Sequence, residues 1–257
     1  MVTIYKSLTA VYYAVGAVYI IIGYFYMTVF HGSFAIDLTV LIAVMFLTYF
    51  ILLKLAKIKF NKEVTTHLHN CRVGIYLEEL TKVMGRMRDK DHRSLYACFS
   101  AVAYNVLGDY DAVYASCQNI KRESHMPIYH VQMFTYYLSR NELDYAQDAI
   151  NALSALAEKE KNSADKKIIQ DFMGECIRAL QVHSGEYDEP LKYYREMLKS
   201  TEPHPLLSRV SWSYVYGQIL VKTGEKQAAE EPLLFASSRG GDTKFKKGAD
   251  KLLEEIQ

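Results

Sequence analysis

The sequence predicts an all-α protein: two transmembrane helices followed by an α-solenoid of about four to five helical hairpins. Three observations carry this. Two apolar runs near the N-terminus lack charge over lengths suited to a bilayer. After residue 62, apolar positions recur at intervals of three and four, without the alternation of strands. A turn of glycine followed by acids recurs along the second part of the chain.

The first run, LTAVYYAVGAVYIIIGYFYMTVF, covers residues 8–30, 23 positions without a charge. At helical rise it reaches about 34 Å, enough for a hydrocarbon core. The second, LTVLIAVMFLTYFILL, covers residues 38–53 and gains Leu55 and Ala56 when Lys54 snorkels to the interface. The segment between them, HGSFAID, is too short for a domain, so the pair reads as a hairpin. A cleaved signal peptide fits poorly, because the first run is too long and a second follows it directly.

Charge orients this hairpin. Residues 1–62 contain Lys6, Lys54, Lys57, Lys59 and Lys62 against Asp37, a balance of +4, while the rest of the chain has 25 basic and 28 acidic residues, a balance of −3. The positive-inside rule therefore places both termini and everything after residue 62 in the cytoplasm. The expected domains are residues 1–62, an integral membrane hairpin of two spans with a basic juxtamembrane segment, and residues 63–257. Cys71, Cys98, Cys117 and Cys176 form no CxxC pair, which suits a reducing compartment. A net-negative second domain gives nucleic acid no reason to bind. The basic strip KLAKIKFNK, residues 54–62, reads as anchor and topology signal, and it also suits anionic lipid headgroups.

Tyr5, Tyr12, Tyr19 and Tyr26 follow one another at intervals of seven and fall on nearly one helical stripe. The stripe is an aromatic belt, or a seam against the second span or another membrane protein.

The recurring turn appears as VLGDYDAVYASC at Gly108, VHSGEYDEPLKYY at Gly185 and VKTGEKQAAEEPLLFA at Gly224. LSRNELDYAQDAI is a fourth copy with Asn141 for glycine, the next best residue in the left-handed conformation. Each turn is followed five positions later by Val113, Ala146, Pro190 or Ala229, and nine positions later by Cys117, Ile150, Tyr194 or Leu233. On these residues the region 63–257 resembles the tetratricopeptide repeat family, whose unit is about 34 residues of paired helices. The copies are degenerate, spaced by 33, 44 and 39 residues. Residues 69–87 read as the second helix of a partial first repeat, residues 244–256 as a terminal capping helix, and Gly217 as a close-packing position.

The resemblance implies a concave wall built from the first helix of each hairpin. It assigns to that wall Leu95, Cys98, Val102 and Asn105, then Ile128, Val131, Thr135 and Leu138. Phe172, Glu175, Ala179 and Val182 follow, then Ser211, Tyr214, Gln218 and Val221. The ten chosen as partner-binding are Leu95, Val102, Asn105, Ile128, Val131, Thr135, Phe172, Glu175, Tyr214 and Gln218. With no Lys or Arg on this wall, capture of an acidic tail is disfavoured. Core packing and an apolar groove for a peptide both fit it.

No constellation for catalysis, metal or cofactor emerges. His67 and Cys71 of HLHNC share a helical face at i, i+4, but His69 points away and no further cluster completes a zinc set. The acid pairs 109/111 and 186/188 occur at equivalent turns, which suits helix starts better than acid–base chemistry. Phosphate loops, dinucleotide fingerprints and nucleophile elbows are absent. The sequence reads as a membrane-anchored, non-enzymatic scaffold or adaptor that binds a protein or peptide partner and uses no cofactor or small-molecule substrate. The alternative is an accessory or regulatory subunit of a membrane complex, contacted through its transmembrane hairpin.

Overall fold

The structure is a computed structural model that describes residues 5–30, 34–85 and 89–256. Described residues are helical throughout their regular elements, and no strand occurs among them. They divide into two compact units, Met1–Thr65 and Thr66–Gln257. The sequence had placed this division three residues earlier.

In the first unit, α1 (Lys6–Phe30) packs against α2 (Phe34–Phe60), which is followed by a wider helical turn at Asn61–Thr65. Both helices include stretches long and apolar enough to cross a membrane, beginning at Ser7 and Leu38. Residues 31–33 of the connecting segment lie outside the described residues; Phe34–Asp37, read from sequence as turn, are already helical. The tyrosine stripe faces α2 at its start. Tyr12 meets Tyr49 edge-on at 6.1 Å, and the Lys59 ammonium lies 4.6 Å from the Tyr5 ring centre. Tyr19 is half-buried and Tyr26 exposed. Gly16 lets the helices approach, since a Cβ there would stand 3.1 Å from the Met45 side chain.

The second unit runs α3 (Thr66–His69), α4 (Val73–Met84), α5 (Lys90–Leu107), α6 (Tyr110–Cys117), α7 (Met126–Ser139) and α8 (Leu143–Lys159). It continues with α9 (Ser163–Ser184), α10 (Asp188–Lys199), α11 (Leu206–Lys222), α12 (Lys226–Arg239) and α13 (Lys244–Ile256). Consecutive helices from α3 onward pack on one another, and α5 also touches α7, α7 touches α9 and α11 touches α13.

One turn recurs five times. Gly108, Asn141, Gly185 and Gly224 all have positive φ, and so does Cys71 at +58°. At each, the turn residue's N–H donates to the carbonyl three residues back, and the next N–H donates to the carbonyl five residues before it. Asp109 to Tyr104 at 2.9 Å and Arg72 to His67 at 2.9 Å are examples. This is the Schellman bonding pattern, which satisfies carbonyls left open at a helix end. The positions five and nine residues past every turn are buried, including Tyr76 and Leu80 after Cys71.

Among the described residues, core clusters follow the hairpins. Ala97, Cys98 and Ala101 of α5 meet Val113 and Cys117 of α6. Ala146, Ile150 and Leu153 of α8 meet Ile169 and Cys176 of α9. Leu220 of α11 meets Leu233 of α12 and Leu253 of α13, with Cys71 added from the first turn. Gly217 permits the last of these, because a Cβ there would fall 2.6 Å from Leu233 Cγ.

Candidate functional site

The ten wall residues come from α5, α7, α9 and α11, and the structure places them in different surroundings. Leu95, Val102, Phe172 and Gln218 are half-buried. Ile128 packs on the α5–α6 cluster and Val131 on the α8–α9 cluster. Glu175 is exposed, accepting hydrogen bonds from Arg178 Nη2 at 2.9 Å and Tyr193 Oη at 2.8 Å, while the Arg178 guanidinium lies 3.7 Å from the Tyr193 ring centre. Asn105, Thr135 and Tyr214 are engaged within the protein.

Asn105 is the centre of that engagement. Lysine has only donors, so the amide must turn its oxygen to Lys244, whose Nζ lies 2.7 Å from Oδ1. The Asn105 Nδ2 then donates to Gln132 Oε1 at 2.9 Å and to Thr135 Oγ1 at 3.4 Å. Thr135 Oγ1 in turn donates to the Val131 carbonyl. Lys244 also lies 3.5 Å from Tyr110 Oη and over the Tyr110 and Phe245 rings. No carboxylate stands within ion-pair distance of it among the described residues. The residue is half-buried, but its charged end sits among protein atoms, and loss of water pulls its pKa down to about 8.

A cation thus meets the assigned wall that none of its sixteen positions supplies. The sequence reading found no basic residue there because Lys244 arrives from α13, 139 positions away from Asn105. In the sequence it is one lysine of KFKK, and no motif marks it. Tyr214 is covered from the same side: a Cβ on Gly248 of α13 would stand 2.5 Å from its ring.

A second long-range contact lies beside the first. Asp242 accepts the backbone N–H of Val73 at 2.8 Å and of Gly74 at 2.7 Å, capping α4 where Arg72 offers no side-chain cap. The Asp242 N–H donates to the Cys71 carbonyl at 3.3 Å. Gly241 approaches that carbonyl so closely that no Cβ would fit. This corrects the reading of HLHNC: the helix ends at His69, and Cys71 has left-handed backbone, so His67 and Cys71 do not share a helical face. Among the described residues, no three of His, Cys, Asp and Glu gather to hold a metal.

The acids of the turns separate by role. Asp109 accepts the Ala112 N–H at 3.1 Å as an N-cap. Glu142, Tyr187 and Glu225, at the corresponding helix starts, make no such bond, which narrows the capping expectation to one turn. Asp111 pairs with Arg140 at 2.7 Å, and both line an open cleft with Tyr110 and Lys247.

One arrangement resembles a nucleophile–base pair. Ser94 Oγ and His125 Nδ1 are 2.9 Å apart. However, Ser94 Oγ already accepts the N–H groups of Lys121 and Arg122, and the residue is buried. Both oxygen lone pairs are occupied, so the pair pins the loop before α7 and offers a substrate no nucleophile. No protein-family model, curated protein or solved structure matches the chain.

Proposed function

We propose that the chain is a membrane-anchored scaffold or adaptor whose second unit, a tetratricopeptide-like solenoid, holds a protein or peptide partner. The observation that carries this reading is the fivefold recurrence of one Schellman turn, each followed by buried residues five and nine positions later. Such a recurrence suits stacked hairpins that present one curved face. The anchor is the α1–α2 pair, with both termini and the second unit cytoplasmic by the lysine distribution. Phe172 and Glu175, both on α9, are the wall positions taken for the test, Glu175 being exposed.

Crosslinking in intact cells, followed by mass spectrometry of the full chain, tests the reading. Phe172→Asp combined with Glu175→Lys should lower recovery of the crosslinked partner about tenfold, as loss of a central contact does. Unchanged recovery would overturn the assignment of the wall. A second reading, a subunit contacted through the hairpin, draws on Tyr13 and Tyr24, residues 68% and 67% exposed on α1. A phenol facing hydrocarbon gains from a protein partner. In that case Tyr13→Phe would remove the crosslink while the wall substitutions would not.

A further inference from the structure

We infer that the loop Gly240–Thr243 and the first turn of α13 form a clasp over the inner wall, and that the second unit opens there as a local step, uncovering Asn105. The inference rests on the wall reading above, but its test does not require a partner.

The two sides of α13 differ in chemistry. Toward α11 and α12 it is held by apolar burial: Ala249 and Leu253 join Leu220 and Leu233 in one cluster. Toward α4 and α5 it and its preceding loop are held by polar bonds. These are the Asp242 carboxylate on two α4 amides, the Asp242 N–H on the Cys71 carbonyl, and the Lys244 ammonium on Asn105. Water can replace each polar bond when the surfaces part, so their net worth is small, whereas apolar burial has no such substitute. The seam against α4 and α5 is therefore the boundary that opens before the rest. Cys71 is the apolar group that joins the first turn to the far cluster, and a thiol is small enough to expose at low cost.

That cysteine supplies the test. All four cysteines are buried, but Cys98, Cys117 and Cys176 belong to clusters that include no residue of α13 or its preceding loop. In the full chain in detergent, a thiol reagent with site assignment by mass spectrometry should label Cys71 well ahead of the other three. Asp242→Ala and Asp242→Asn should each accelerate Cys71 labelling about tenfold to a hundredfold, the range of a lost charge-assisted bond, and leave the other three rates unchanged. Labelling of all four wild-type thiols at one rate, or equal acceleration of all four in the variants, would overturn the clasp. The wild-type comparison decides even if a variant fails to fold.

Discussion

Lys244 illustrates what one residue contributes. Its pKa in the folded chain is about 8, below that of an unfolded lysine near 10.4. Between these values the unfolded chain keeps a proton that the native chain has released, so this group makes stability rise with pH through that window. Below pH 8 both states hold the proton and the burial cost is fully present. Lys244→Met should flatten the difference in unfolding free energy between pH 8 and pH 10, measured by urea titration at each pH. A wild type and variant that change in parallel would show that the ammonium is well solvated. The aspartates beside Gly108 give a second contrast. Asp109→Ala should cost about 1 kcal/mol through the lost cap, while Asp111→Ala should cost less than that, since its pairing with Arg140 is exposed and screened. Ser94→Ala should cost about 1–3 kcal/mol because two amides lose their acceptor. Asp109 was legible in the sequence because its partner is three residues away. Lys244 was not, because its partner lies on a distant helix and its pattern is that of any amphipathic helix start.

At the scale of elements, turn chemistry was the readable part. Gly108, Gly185 and Gly224 stand out because only they adopt φ near +85° without strain, and Asn141 follows from the same rule. Cys71 escaped it. Nothing in a cysteine side chain favours left-handed backbone, and tertiary contacts with Gly241 and Asp242 hold it there. For the same reason the HLHNC segment was misread as continuous helix. The close-packing role of Gly217 was also visible, as a small residue at a fixed place in a hairpin. Gly217→Val should lower stability by about 1–3 kcal/mol through overpacking against Leu233, read as a reduced thermal midpoint. An unchanged midpoint would mean that α11 and α12 can separate freely. Registration within a hairpin can assign Asn105 to one face of α5, but it cannot say that Lys244 of a distant helix reaches it.

For the whole molecule, the two apolar helices make the clearest prediction. The chain should remain with the bilayer after alkaline carbonate extraction, and reporters fused after residues 34 and 62 should report opposite sides. Release by carbonate, or two reporters on one side, would contradict the two-span reading. Local periodicity and charge sufficed to formulate this, whereas contacts such as Asp242 with Val73 and Lys244 with Asn105 join residues far apart in the chain, which no local pattern encodes.

The cap that Asp242 places on α4 has a consequence in time. Val73 and Gly74 wait for a carboxylate 168 or more residues downstream. At ribosomal rates of 5–20 residues per second, this aspartate is polymerised roughly 8–34 s after them. During synthesis the start of α4 must therefore persist with these two amides bonded to water. The hairpins from α5 to α12 can dock in chain order, each on its predecessor. The bond between Asp242 and α4 forms after those dockings, and a nascent chain stalled before residue 242 should show free exchange at those two amides.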